Sequence, residues 1–338
     1  MDAALTELRK KLPFGDYRTF TIRYTGIEIR QNPATYAIEI GQEAYIDGLK
    51  PVSTKELGKA STPLKDPSIL RQCAGQLAWA AGATRPDQAF LASYLQGVQS
   101  QGTVAHVEMY NKALREMKER KLVLRFPSNI PIDQWRILCI SDAGWKKRAN
   151  GDSQGGFLLC LTNPKMLARE QAPVWLIDWA SKKLKRAIRS SVAAETLAGQ
   201  NGLDSIEFLQ ALILETLKGV TPREFREITP DEPSCLVIDS KGFYDACNKT
   251  SGSSTTSAEE RLQIDYAIAR ESMKKQNIWV IWINNRYMCA DCLTKLKGES
   301  TPLFDLLETN TYHIKKCKVS GRKELAEERA GQTEQDSE

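Results

Sequence analysis

Apolar and polar positions alternate early in the chain and then change period. Thr19-Phe20-Thr21-Ile22-Arg23-Tyr24 alternates, Gly26-Ile27-Glu28-Ile29 continues the pattern, and Ala34-Thr35-Tyr36-Ala37-Ile38-Glu39-Ile40 resumes it after the turn signal Gln31-Asn32-Pro33. This predicts a small antiparallel meander, preceded by a short polar helix that ends near Pro13-Phe14-Gly15. From Ser68 onward the spacing becomes helical: Ile69, Cys73, Leu77 and Ala80, then Phe90, Leu91, Tyr94, Leu95 and Val98, recur at three and four residues. Thr84-Arg85-Pro86-Asp87 separates these two helices, and a third runs from about Val104 to Glu119.

Beyond a boundary at 127–131, the apolar runs become short and nearly continuous. Arg136-Ile137-Leu138-Cys139-Ile140-Ser141-Asp142 is one of them, and it ends in an acid, as buried strands do at a sheet edge. Gly155-Gly156-Phe157-Leu158-Leu159-Cys160-Leu161 and Val174-Trp175-Leu176-Ile177-Asp178-Trp179 supply two more strands. Ser190-Ser191 then offers N-cap oxygens to a long helix reaching about Leu217. A proline-containing, charged connector at 222–233 leads to Ser234-Cys235-Leu236-Val237-Ile238-Asp239, again a strand ending in acid. A helix-like segment, a Gly/Ser/Thr loop at 251–257, a charged helix at about 258–276 and the strand Ile278-Trp279-Val280-Ile281-Trp282-Ile283 complete a β-β-β-α-β-α-α-β-α order.

Composition narrows the picture. The chain has 338 residues, enough for two or three domains, and its 41% hydrophobic and 26% charged content is that of an ordinary water-soluble protein. No uncharged apolar run of about 18 residues occurs and the N-terminus lacks a signal-peptide core, so an intracellular protein with no membrane partner is expected. The eight cysteines are scattered, mostly in apolar runs, and read as reduced thiols. A net charge of +5 permits a nucleic-acid partner without demanding one.

The acids carry the chemistry. Asp142 and Asp239 end two strands at the same relative place, so parallel adjacent strands would bring both to one carboxyl edge, where ligand sites of open α/β sheets lie. Glu195 sits about one turn inside the long helix, and Ser191, Ala198, Gly199 and Gly202 on its face are all small, which predicts close packing of that face against the sheet. Asp291, in Cys289-Ala290-Asp291-Cys292-Leu293-Thr294-Lys295, is expected to open a helix after the last strand. Four converging carboxylates would raise one another's pKa unless a divalent cation sat among them, and hard oxygen ligands point to Mg²⁺ or Mn²⁺ rather than zinc. Cys289 and Cys292 lack the second Cys or His pair that a structural zinc site needs.

Strand-Asp, helix-Glu, strand-Asp, helix-Asp on this element order resembles the ribonuclease H fold, and the wording around the acids is similar to copia-type retrotransposon Pol polyproteins. Ser141-Asp142-Ala143-Gly144-Trp145, Trp179-Ala180-Ser181-Lys182-Lys183, Ser190-Ser191-Val192-Ala193-Ala194-Glu195, Ile238-Asp239-Ser240 and Ala290-Asp291-Cys292-Leu293-Thr294-Lys295 carry the resemblance. Upstream, Gly26-Ile27-Glu28-Ile29, the turn at 42–45, Ser61-Thr62-Pro63, Leu77-Ala78-Trp79 and Thr84-Arg85-Pro86-Asp87 resemble the end of a copia-type reverse transcriptase. The likeness covers roughly residues 10–312. Tyr-x-Asp-Asp is absent, so the polymerase site is not supplied by this chain; Ser240 stands where the family has Asn, and Arg261-Leu262-Gln263-Ile264-Asp265 replaces its Lys-His-Ile.

The resemblance implies an α/β fold: a ribonuclease H-like mixed five-stranded sheet with flanking helices, preceded by a small α+β segment. It divides the chain into a reverse-transcriptase-like unit at 1–125, a ribonuclease H-like domain at 132–312 and a disordered tail at 318–338. It implies cleavage of the RNA strand of an RNA/DNA hybrid by two Mg²⁺ or Mn²⁺ ions, with Asp142 bridging them, Glu195 and Asp239 completing the shells and Asp291 holding the water-side ion more loosely. Neither His106 nor His313 lies where some ribonucleases H place a proton-shuttling histidine. The basic run Lys182, Lys183, Lys185, Arg186 and Arg189 ends at the first turn of the Glu195 helix and is a candidate phosphate seat, with Lys146-Lys147-Arg148 a weaker one. An intact reverse transcriptase is a further candidate partner. Integrases and transposases of this fold place their glutamate last, and proofreading exonucleases need Asp-x-Glu on the first strand, so neither pattern fits. The alternatives left open are a catalytically silent remnant that binds nucleic acid or only folds, and an α/β interaction module.

Overall fold

The computed structural model describes residues 2–12, 19–148, 150–186, 188–225, 227–248 and 260–315. The loop predicted at 251–257 and the tail predicted at 318–338 lie outside these residues.

Helix α1 (Asp2–Lys11) precedes the meander, in which β1 (Thr21–Tyr24), β2 (Ile27–Gln31) and β3 (Ile38–Gly41) pair antiparallel in chain order. Helices α2 (Glu43–Gly48), α3 (Ser68–Ala83), α4 (Ala89–Gly97) and α5 (Val104–Glu119) follow, and the chain then returns as β4 (Val123–Phe126), a strand the hydrophobic pattern did not predict. β4 pairs antiparallel with β3, Leu124 opposite Ile40, so the meander has four strands rather than three. The three-and-four spacing buries Leu70, Cys73 and Leu77 of α3 against Phe90 and Leu95 of α4 and Tyr110 and Leu114 of α5. His106 caps α5: its Nδ1 accepts the Thr103 backbone N–H at 3.0 Å.

Arg85 locks this helical layer. It is 1% exposed, donates from Nε and Nη2 to Asp87 at 2.8 and 2.7 Å, and donates from Nη1 to the carbonyls of Met117 and Arg120 at 3.0 and 2.8 Å. One guanidinium thus satisfies a buried carboxylate and closes the C-terminal turn of α5.

The second part runs β5 (Arg136–Gly144), β6 (Gln154–Thr162), β7 (Ala172–Pro173), β8 (Trp175–Lys183), α6 (Ser191–Lys218), α7 (Pro222–Phe225), β9 (Ser234–Ile238), α8 (Lys241–Asn248), α9 (Glu260–Lys275), β10 (Ile278–Trp282), α10 (Thr301–Thr309) and β11 (Thr311–Tyr312). A mixed five-stranded sheet has the order β10-β9-β5-β6-β8, with β6 antiparallel to β5 and β8, and with β9 and β10 parallel to β5. β7 and β11 form a separate two-stranded ribbon. Side chains alternate between two cores. Leu138, Ile140, Leu158, Cys160, Cys235 and Val237 face one closed by Met288, Leu293 and α10, while Ile137, Cys139, Leu159, Leu161, Leu236 and Ile238 face one closed by α6, α8 and α9. Burial on both faces is why these strands read as unbroken apolar runs. The fold is the ribonuclease H-like α/β architecture with flanking helices.

The two parts pack on each other. Leu122 and Leu124 belong to the same core as Leu138 and Ile140, Arg120 pairs with Glu308, and the Trp179 indole donates to the Ala81 carbonyl at 2.7 Å. Arg148, read from sequence as part of a basic surface run, is instead buried: its Nη1 donates to Gln154 Oε1 at 2.8 Å and its Nη2 to the Ser93 carbonyl on α4 at 3.0 Å. Three hydrogen-bond acceptors compensate the charge there, which a sequence run of bases does not reveal. The seven described cysteines are free and buried. No helix among the described residues is long and apolar enough to cross a membrane.

Candidate active site

β5 and β9 are adjacent and parallel, with Leu138 opposite Cys235 and Ile140 opposite Val237. Two residues further on, each strand reaches an aspartate, so the register itself brings Asp142 level with Asp239. Glu195 arrives from α6, whose first turn is fixed when the Ser190 hydroxyl accepts the Ala193 N–H at 3.2 Å. The helix is held to the sheet by Ser141 Oγ, which donates to the Ala198 carbonyl at 2.9 Å. A Cβ added at Gly199 would stand 2.3 Å from a Phe243 ring carbon, so the small residue on the Glu195 face is what lets α8 approach α6. One carboxylate oxygen each from Asp142, Glu195 and Asp239 then lie within 4.8 Å of one another.

Such a cluster resists ionisation. Asp142 is 1% exposed, and burial, then the charge of Asp239, push its carboxyl up to about 7 against the opposing pull of Lys295 and a hydrogen bond from Thr294. Burial, followed by the charges of Asp142 and Asp239, holds Glu195 well above the usual carboxylate range, although the Ala143 N–H donates to it. Burial likewise raises Asp239. All-oxygen donors with no histidine suit a hard cation such as Mg²⁺ or Mn²⁺, and such an ion would supply the countercharge these acids lack.

Asp291 is placed differently from the sequence expectation. It opens a single 3-10 turn, Asp291–Leu293, and the following helix α10 does not begin until Thr301. The Thr294 N–H donates to the Asp291 carbonyl at 3.1 Å and the Asp291 carboxylate accepts the Glu299 N–H at 2.8 Å, local bonds that compete with a continuing helix. Its carboxylate is paired with Lys295 and lies outside the three-acid group. Thr294 and Lys295, which sequence reasoning quoted only as part of a motif, both reach Asp142: the Thr294 hydroxyl donates to Asp142 Oδ2, and Lys295 Nζ stands 3.9 Å from the same oxygen.

The basic candidates divide. Lys182, Lys185 and Arg189 are exposed where β8 runs on toward α6, Lys183 pairs with Asp152, and Arg186 pairs with Asp265 at 2.9 Å. Lys146 and Lys147 are exposed beyond β5, and the Lys146 ammonium lies 4.8 Å from the centre of the Trp145 ring. Cys289 and Cys292 are core residues, the Cys289 thiol donating to the Pro302 carbonyl at 3.3 Å.

The raised carboxyls make metal-free stability fall as pH rises. Asp142 keeps a proton in the folded protein up to about 7 but loses it near 3.8 when unfolded, so the folded chain binds more protons between these values and each rise in pH favours unfolding. Melting curves in EDTA should therefore drop by several degrees between about pH 5 and pH 8. Mg²⁺ or Mn²⁺ should restore most of that loss at the upper end. A melting temperature that rises with pH in EDTA would contradict the assignment.

No family model matches the chain. In sequence it is 23% identical over 291 residues to the retrovirus-related Pol polyprotein from transposon RE1 of Arabidopsis thaliana, and 23% identical over 288 residues to that from transposon RE2. Each match covers 80% of this chain, which spans 18% of the length of either relative. Among solved structures, RNase H1 from the halophilic archaeon Halobacterium salinarum NRC-1 aligns with 50% of this chain and 98% of its own, at 15% identity and a TM-score of 0.33. The homologues of this chain are thus retrovirus-related Pol polyproteins of transposons, the kind of protein its motifs resemble.

Proposed function

We propose that this chain is a ribonuclease H-type endonuclease that cuts the RNA strand of RNA/DNA hybrids with the help of a divalent cation. The observation that carries the reading is the convergence of Asp142, Glu195 and Asp239 oxygens within 4.8 Å at the carboxyl edge of the sheet. These three would hold the ion. The chemistry that Mg²⁺ or Mn²⁺ would supply if held there is activation of a water and neutralisation of charge on the scissile phosphate, for products with 5′-phosphate and 3′-hydroxyl ends.

The protein's own part is placement. Thr294 fixes the Asp142 carboxylate and the Ala143 N–H orients Glu195, so the donors are set before substrate arrives. Lys182, Lys185 and Arg189 would take the hybrid's phosphates, with Lys183 and Arg186 joining after exchange of their present carboxylate partners and with Lys146 and Lys147 contributing from the turn between β5 and β6. Recognition would follow shape and 2′-hydroxyls, since the groove of an A-like hybrid offers little sequence to read. A second ion would draw on Asp291, whose carboxylate Lys295 already engages. Polymerase chemistry would have to come from an intact reverse transcriptase as partner, because Tyr-x-Asp-Asp does not occur in these 338 residues.

The test is incubation of the purified chain with an RNA/DNA hybrid labelled on the RNA strand, beside single-stranded and duplex RNA, in Mg²⁺, Mn²⁺ or EDTA. Cutting of the hybrid alone, and only with metal, is expected. A folded protein that leaves the hybrid intact in both metals would sink the proposal and favour the silent remnant.

A further inference from the structure

Lys295 stands between two carboxylates that the ribonuclease reading assigns to metal. Its ammonium contacts Asp291 Oδ1 and lies 3.9 Å from Asp142 Oδ2. It is not a loose surface group. Only about a third of its side chain is exposed, and the turn that carries it is pressed onto the sheet: Leu293 and Thr294 are fully buried, and a Cβ added at Gly144 would stand 2.2 Å from the Thr294 carbonyl oxygen. The backbone on the N-terminal side of the lysine therefore cannot drift, and Ser181 Oγ reinforces it by donating to the Leu293 carbonyl at 2.6 Å.

A second divalent ion shared by Asp142 and Asp291 would have to enter where this ammonium sits. Two cations a few ångströms apart in a poorly solvated site repel strongly, so either the lysine leaves or the ion stays out. With Asp291 satisfied by Lys295 and by the Glu299 N–H, the demand for countercharge remains with Asp142, Glu195 and Asp239.

We propose that Lys295 is a built-in cation of the site: in the free protein it fills the second-ion position, and the chain binds a single divalent ion among Asp142, Glu195 and Asp239. The inference rests on the ribonuclease reading of these acids. Lys295 acts through Asp142 and Asp291 and is a positioning residue. Removing its charge leaves those two carboxylates facing each other unpaired, and a second divalent ion becomes the available compensation.

Mn²⁺ titration of the full chain without nucleic acid, with free Mn²⁺ followed by electron paramagnetic resonance, counts the bound ions directly. Wild type and Lys295→Arg should each bind one ion, and Lys295→Met should bind two, a change that loss of a merely structural contact would not produce. In EDTA, where no ion compensates, Lys295→Met should also melt below wild type. If Lys295→Met does not fold, Lys295→Gln, which keeps a donor for Asp291 but no charge, takes its place with the same expectation. Two ions on wild type, or one ion on both wild type and the uncharged variant, would overturn the proposal while leaving the metal site intact. No ion on any of the proteins would overturn the ribonuclease reading itself and this inference with it.

Discussion

Asp142→Asn is expected to lower metal-dependent hybrid cleavage by at least about a thousandfold, on the order of 4 kcal/mol of transition-state stabilisation. The substitution is nearly isosteric, and the new amide oxygen can still accept the Thr294 hydroxyl, so geometry survives while the anionic oxygen is lost. Hybrid binding in EDTA should stay within about twofold, because the exposed bases at 182, 185 and 189 lie on other elements and phosphate contact dominates affinity. The same variant removes one of three mutually repelling buried acids. It should therefore melt above wild type in EDTA near neutral pH, where Asp142 is otherwise forced to ionise. Loss of cleavage with gain of metal-free stability separates a working site from a structural one; cleavage at the wild-type rate would move the cation elsewhere.

The largest stability effect is expected far from the acids. Arg85→Ala should cost about 3–5 kcal/mol, because Asp87, with 4% of its side chain exposed, is left as an unpaired buried charge. The carbonyls of Met117 and Arg120 lose their donor at the same time. Arg85→Lys should recover little, since a single ammonium cannot reach Asp87 twice and two carbonyls besides. Replacing both partners by apolar residues should recover part of the loss, as no charge then remains to be desolvated. Urea unfolding midpoints measure all three, and a cost below about 1 kcal/mol for Arg85→Ala would show that the pair does not hold the helices.

Much of this was legible in the chain. Strands buried on both faces betray themselves by unbroken apolar runs, and an acid at the same place on two of them says where a sheet edge is. The small residues around Glu195 announce close packing against the sheet, and Gly202, where an added Cβ would stand 2.8 Å from a Leu236 methyl carbon of β9, makes that contact. What stayed hidden depends on partners distant in sequence. β4 is four residues long and gains its identity only from pairing with β3, more than eighty residues earlier. Arg148 reads as one base in a run of three, and only the approach of α4 and Gln154 makes it a buried tie. Asp291 looked like the opening of a helix because its local wording permits one; Thr294 and Glu299 divert its hydrogen bonds into a turn. Lys295 was visible as a letter in a motif, but its contact with Asp142 bridges 153 positions and has no local signature.

Leu122 and Leu124 share one core with Leu138 and Ile140, and Arg148 and Trp179 reach back into the helical layer. The prolines near 127–131 therefore mark a bend in the backbone and not a seam along which the protein comes apart. Heat or denaturant acting on the meander and its helices pulls directly on strands that end in Asp142 and Asp239. The segment up to Phe126, which brings no acid to the cluster, thus sets how rigidly the acids are held, and loosening it would be felt at the sheet edge as blurred geometry well before the sheet itself unravels.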